Sequence, residues 1–370
     1  MKVAIIDADL IHSKYSHFPN LSCLKLGGYF KQQGADVDLK LDYGSLEYYD
    51  KVFISKVFTD TPCPPVDNKL FRLPANIEYG GTGFFYDKAP PLQYDIEHTM
   101  PDYTLYDKWV TTQLEQGVKP SRLKYFKDYS VGFCTRGCVR GCSNCVNRNY
   151  RECLVHSPVS EFLDEGRKYI CLLDDNVFAC KDWRQIFESL NATGKPFQFK
   201  QGLDIRFLNK DKVKVLLDSN WIGDLIFAFD NIKNKAVVEK KLALLREYTN
   251  KQIKIYVFCA YNHTRPDHYT PEFWKKDIED LFERVRILIK YDCKPYIMKY
   301  KDYKLSPYFD VYTALSRWCN QPSLFHKSSL RDFSKYDLET GCSSTVKCLQ
   351  MLEKVFPHLM PYFDMKVGEL

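Results

Sequence analysis

The chain has 370 residues, 45% of them hydrophobic and 27% charged, which leaves room for two domains or one large α/β domain with an ample core. This is ordinary globular composition, with no internal repeat or low-complexity tract, and no uninterrupted apolar run approaches the roughly 20 residues that cross a bilayer. The formal charge of +6 is spread along the sequence; it suits an anionic substrate or a nucleic acid and demonstrates neither.

The opening reads as the start of a doubly wound sheet. Val3–Ile6 is a short apolar strand ending in Asp7, Leu21–Gln33 has helical spacing and stops at Gly34, Val37–Leu41 is a second strand, and Lys51–Ser55 a third. Strand, helix and strand within about 40 residues make one βαβ unit. From Pro62 to about Pro101 prolines and glycines are frequent, so loops dominate. Gly80, Gly81 and Gly83 form either a tight turn or a close approach of backbone to a ligand.

Past residue 150 the pattern becomes regular. Strands are expected at Tyr169–Leu173, Phe197–Lys200, Leu225–Phe229, Ile253–Ala260 and Pro295–Met298. Helices are expected around Trp183–Leu190, Lys212–Leu217, Lys235–Tyr248 and Glu272–Lys290, the last with apolar residues every three or four positions. Repeated β-then-α builds a parallel barrel or curved sheet, whose active face lies past the C-terminal strand ends. That rule singles out Asp174, Asp175 and Asn176, then Gln201 to Asp204, Asp230, and Tyr261 with Asn262. The region from Tyr308 reads as an irregular helical extension. The expected domains are therefore 1–125, 126–305 and 306–370.

Between these halves stands the most specific feature, C-T-R-G-C-V-R-G-C-S-N-C from Cys134 to Cys145. Cys138, Cys142 and Cys145 are spaced C-x3-C-x2-C, so one tight loop carries three thiolates suited to a soft metal centre. A [4Fe–4S] cluster held by three cysteines keeps one iron open to another ligand. Cys134 ends an apolar strand and is left out of the ligand set. The alternative is a structural four-cysteine zinc site in a nucleic-acid-binding module, although zinc sites usually pair two separated C-x2-C elements. The other cysteines are scattered through apolar runs rather than laid out as a disulfide framework. MKVAIIDADLI lacks the marks of a signal peptide, so a reducing cytoplasm is expected.

With a β/α series following it, this segment resembles the signature of the radical S-adenosylmethionine enzymes. LLDDN at Leu172–Asn176, QGLD at Gln201–Asp204, IEHTMPDY at Ile96–Tyr103 and the opening segment extend the likeness to members with an N-terminal cobalamin-binding-like domain, over roughly residues 1–330. The resemblance implies a Rossmann-like domain followed by a partial (β/α)6 barrel. It implies a [4Fe–4S] cluster on Cys138, Cys142 and Cys145, with the amino and carboxylate groups of S-adenosylmethionine on the open iron. Reductive cleavage then yields a 5′-deoxyadenosyl radical, with an electron donor such as flavodoxin or ferredoxin as partner. Two departures stand out. Asn144 replaces the aromatic residue common before the third cysteine, and no D-x-H-x-x-G motif is present, Asp7, Asp9 and His12 having the wrong spacing. A cobalamin would have to bind without a histidine ligand.

Asp174, Asp175 and Asn176 then stand where polar groups receive the cofactor's ammonium, or else cap a helix. Gln201 and Asp204 are further cofactor candidates. Arg206 either meets the cofactor's carboxylate or pairs with Asp204. His263, Arg265 and His268 read as a solvated loop that could instead meet an anionic substrate. Lys294–Tyr308 interleaves bases and aromatic rings as nucleic-acid binders do, and equally fits a strand and an exposed loop.

Overall fold

The structure, a computed structural model, describes residues 1–12, 18–67 and 73–369. It is a mixed α/β protein whose larger sheets are parallel. The chain divides into two compact units, 1–200 and 201–370, so the expected boundaries after residues 125 and 305 fall inside units.

The first unit begins with β1 (Lys2–Asp7), β2 (Asp36–Lys40), β3 (Lys51–Ser55) and β4 (Ile77–Gly80), all parallel in the order β2-β1-β3-β4. Five consecutive residues of β1 are buried, as a central strand covered on both faces requires. The helix Leu21–Gln32 starts where the Asn20 side chain accepts the amides of Ser22 and Cys23, a satisfied N-cap. It ends just before Gly34, which takes φ 73°. Strand β4 has no clear signal in the sequence, because Glu78 and Tyr79 are exposed, Ile77 and Gly80 are only half-buried, and apolar alternation is lacking.

One apolar core joins this sheet to the next. Val3, Ile5 and Leu24 share it with Tyr103, Tyr106, Leu123, Phe126 and Val131. A continuous core is what makes residues 1–200 a single unit. The second sheet is parallel, in the order β5 (Tyr129–Gly132), then β8 (Tyr169–Leu172), then β9 (Phe197–Phe199). Between β5 and β8 the chain makes an antiparallel pair, β6 (Thr135–Arg136) with β7 (Leu154–Val155). The cysteine loop is the excursion between those two short strands.

The second unit holds a parallel sheet of β10 (Leu225–Ala228), β11 (Ile253–Cys259) and β12 (Cys293–Lys299). The helix Pro271–Lys290 buries Trp274, Ile278, Leu281, Val285 and Leu288, the stripe its spacing predicts. Thr270 caps it by accepting the Phe273 amide, and Pro271 occupies the first turn. The C-terminal region is more regular than expected, with helices Phe309–Cys319, Leu330–Glu339 and Ser344–Val355. Ser329 and Asp332 make a reciprocal capping box, a start signal present in S-L-R-D. Among the described residues no helix is long and apolar enough to cross a membrane.

Candidate metal centre

The geometry of the cysteine loop is set from below by three residues that follow β8, Asp174, Asp175 and Asn176. Asp174 is fully buried, and its carboxylate accepts the amides of Cys134 (3.1 Å) and Thr135 (2.6 Å) and the Thr135 hydroxyl (2.6 Å). Asp175 accepts the Gly137 amide at 3.0 Å and the side-chain amide of Asn147. Asn176 donates its Nδ2 to the Cys138 sulfur at 3.3 Å, while its backbone oxygen accepts the Cys153 thiol at 3.2 Å. Three consecutive residues thus grip the loop at its entrance, at both flanks of the cysteines and at the first cysteine itself. The Asn176 side chain makes no helix-capping bond.

The loop's outer rim is also tied down. The Tyr86 hydroxyl donates to the carbonyl of Asn144 at 2.9 Å, and Asp87 accepts from Arg148 (2.6 Å) and Asn149 (2.9 Å). These anchors follow directly on the glycine-rich segment. A Cβ on Gly81 would meet the Lys56 carbonyl oxygen at 2.3 Å, and one on Gly83 the Phe58 carbonyl oxygen at 2.7 Å. These glycines therefore let the chain pack against its own backbone. Gly137 takes φ 90°, and a Cβ there would lie 2.1 Å from the Glu152 carbonyl oxygen. Only glycine closes the neck of the loop.

The thiols themselves separate into two kinds. Cys138 and Cys145 are half-buried and Cys142 is exposed. Burial raises the Cys145 thiol, and nearby Asp175, Cys142 and Cys138 push it further in the same direction. Its sulfur accepts the Asn147 amide at 3.4 Å. Cys134 is 2% exposed, and only burial and Asp174 raise its thiol. Among the described residues no group of three or more His, Cys, Asp or Glu side chains is positioned to hold a metal ion. The donor chemistry nonetheless fits a cluster: three thiols share one short loop, and two of their sulfurs accept N–H groups, as metal-bound thiolates do.

Burial pushes the Asp174 carboxyl up to about 6, against the hydrogen bonds from Thr135 and Cys134; Asp175 is raised by burial as well. The Asn176 Oδ1 is buried with no hydrogen-bond partner among the described residues. Of the three residues, it alone has an idle acceptor there.

Within the second unit, Gln201 is exposed, and Gly202 (φ 85°) turns the chain so that the Leu203 amide donates to the Ile226 carbonyl. Asp204 accepts the Arg206 amide and holds its guanidinium through Nε (2.7 Å) and Nη2 (2.9 Å). This is the ion-pair alternative for Arg206. Asp230 accepts the Phe258 amide at 3.0 Å. Arg265 and His268 are exposed, while His263 turns inward and lies 3.3 Å from the Asp230 carbonyl oxygen. Lys294–Tyr308 forms β12 and a short 3₁₀ turn at Lys301–Leu305.

In the first unit Asp7 is buried against the Tyr106 hydroxyl (2.8 Å). Asp9 accepts the Val57 amide and the Thr61 hydroxyl, and His12 stacks on Tyr43. Sequence reasoning missed Asn147 and Thr135. The only signal for Asn147 was its place two residues after Cys145.

No protein-family model matches the chain, and neither does any curated protein or any solved structure.

Proposed function

We propose that the protein is a radical S-adenosylmethionine enzyme whose [4Fe–4S] cluster is held by Cys138, Cys142 and Cys145. The observation that carries this reading is the division of the four cysteines. Cys138, Cys142 and Cys145 share one short loop and two of their sulfurs accept N–H bonds, while Cys134 is buried before that loop, its amide bound to Asp174. A four-cysteine zinc site would need Cys134 in the set, with sulfurs about 3.8 Å apart for tetrahedral bonds of about 2.3 Å.

When bound, such a cluster supplies one electron for reductive cleavage of S-adenosylmethionine, giving a 5′-deoxyadenosyl radical that takes hydrogen from a substrate. The chain's own residues do the rest. Asp174 and Asp175 brace the loop, and Asn176 donates to the Cys138 sulfur. Its idle Oδ1 is a buried acceptor suited to an ammonium group. In this reading β1–β4 belong to a Rossmann-like domain resembling cobalamin-binding ones, and the later strands to a partial (β/α)6 barrel. The setting is cytoplasmic, with a flavodoxin or ferredoxin as electron donor.

Anaerobic reconstitution with iron and sulfide tests the proposal. The expected result is a brown protein with a [4Fe–4S] spectrum that forms 5′-deoxyadenosine when reduced with S-adenosylmethionine. Stoichiometric zinc and no cluster would overturn it.

A further inference from the structure

A second cluster of ionisable groups lies in the first unit and takes no part in the cysteine loop. It gathers Lys25 from the helix Leu21–Gln32, Glu97 and His98 from the turn Tyr94–Glu97 and its cap, Arg136 from β6, His156 after β7, and Glu161 from the turn Val159–Glu161. Tertiary structure alone brings them together. His98 Nδ1 lies 2.8 Å from the Glu161 carboxylate. His156 Nε2 lies 3.4 Å from Glu97, which also pairs with the buried Lys25 at 3.0 Å. The two imidazoles stack with centroids 5.0 Å apart.

The two histidines differ in one decisive respect. His156 has both ring nitrogens engaged, Nε2 toward Glu97 and Nδ1 with the Ser157 hydroxyl at 3.0 Å. Burial lowers it to about 4, with Lys25, Arg136 and His98 acting the same way against Glu97. It therefore stays neutral and serves as structure. His98 has Nδ1 occupied by Glu161, and its Nε2 makes no hydrogen bond among the described residues. Its ring is held between Tyr94 (4.4 Å) and His156 (5.0 Å), so the direction of that nitrogen is fixed. A carboxylate on Nδ1 fixes the tautomer with the proton on Nδ1 and leaves a lone pair on Nε2. The side chain of His98 is 20% exposed, enough for a ligand to reach it.

We propose that His98 and Glu161 form a general-base dyad, a proton-accepting site for a ligand bearing a hydroxyl or amide N–H group. In the step it performs, the ligand's O–H or N–H bond breaks and its electron pair stays on the ligand. A new N–H bond forms at His98 Nε2, and the imidazolium charge faces the Glu161 carboxylate. The site adjoins the hairpin that carries the cysteine loop through His156, which stacks on His98 and whose amide donates to the Cys134 carbonyl at 2.8 Å. It does not depend on a cluster being present.

The test uses the full-length protein without added iron. Long-range 15N–1H correlation reads the tautomer of each histidine, and carbethoxylation by diethyl pyrocarbonate, mapped by mass spectrometry, reads nucleophilic access. The expected result is a bare Nε2 on His98 and its modification about tenfold faster than that of His156. Glu161→Ala should release the tautomer and slow modification of His98 severalfold, while Glu161→Gln keeps an oxygen that can accept from Nδ1 and should retain most of the wild-type tautomer. Wild-type His98 protonated on Nε2, or modified no faster than His156, overturns the proposal whether or not the variants fold. Because no cluster is needed, failure here leaves the radical reading standing, and failure to form 5′-deoxyadenosine leaves the dyad standing.

Discussion

Removing the Asp175 carboxylate should loosen the cysteine loop at both flanks at once. In the native chain it holds Gly137, which precedes Cys138, and Asn147, which follows Cys145 and donates its own amide to that sulfur. Hydrogen bonds to a charged acceptor contribute about 1.5–3 kcal/mol each when shielded from water. Asp175 is only half-buried, so water recovers part of that, and about 2–3 kcal/mol for the pair is reasonable. If the loop must be ordered to hold iron, this predicts a roughly 30- to 150-fold weaker hold in Asp175→Ala. Asp175→Asn keeps one acceptor, for Gly137, but sets its amide against that of Asn147, and should fall between. The assay is iron content after anaerobic reconstitution, followed by the rate of iron loss to a chelator. Wild-type retention in Asp175→Ala would refute the argument that the carboxylate organises the loop.

Cys134→Ala should leave the cluster spectrum intact and cost about 1 kcal/mol of stability for the lost buried sulfur, whereas Cys138, Cys142 and Cys145 replaced together by Ala should abolish it. Burial raises Asp7 from 3.8 to about 6, so from pH 4 to 6 the unfolded chain ionises first and stability falls as pH rises. That amounts to about 3 kcal/mol by proton linkage, and Asp7→Asn should flatten this part of a urea-melt pH series; an unchanged slope would refute it. Ser329→Ala should cost about 1 kcal/mol by breaking the capping box, read from thermal or urea melts. Asn176→Ala, compared with wild type at equal iron content, should bind S-adenosylmethionine about tenfold more weakly in equilibrium dialysis; equal binding would remove Asn176 from the ammonium site.

The long helices and buried strands were legible because their signals are local. Pro271–Lys290 carries its proline and its apolar stripe within the segment and its cap, Thr270, just before it, and β1 holds an unbroken run of buried apolar residues from Val3 to Ile6. The C-x3-C-x2-C spacing of Cys138, Cys142 and Cys145 is legible for the same reason, since it sits in one stretch. Strand β4 lacks an apolar pattern, and the helix starting at Leu330 announces itself only by the capping box of Ser329 and Asp332. The grouping of Lys25, Glu97, His98, His156 and Glu161 has no sequence signal. Its members lie up to 136 positions apart and meet only through the shared first-unit core.

The three residues after β8 show how one motif divides its labour. Read as a string, D-D-N offers three equivalent polar groups at a strand end, and nothing local ranks them. Packing ranks them. Asp174 is consumed by Cys134 and Thr135, and Asp175 by Gly137 and Asn147. A metal-bound thiolate accepts and cannot donate. Bound to iron, Cys138 would therefore fix the Asn176 amide with its nitrogen toward sulfur and its oxygen turned away. That leaves the oxygen unpartnered in a buried place, a costly arrangement unless something arrives to donate to it. The acidic residues thus build the loop, and under the proposed function the uncharged one is the residue left with a free acceptor for a ligand.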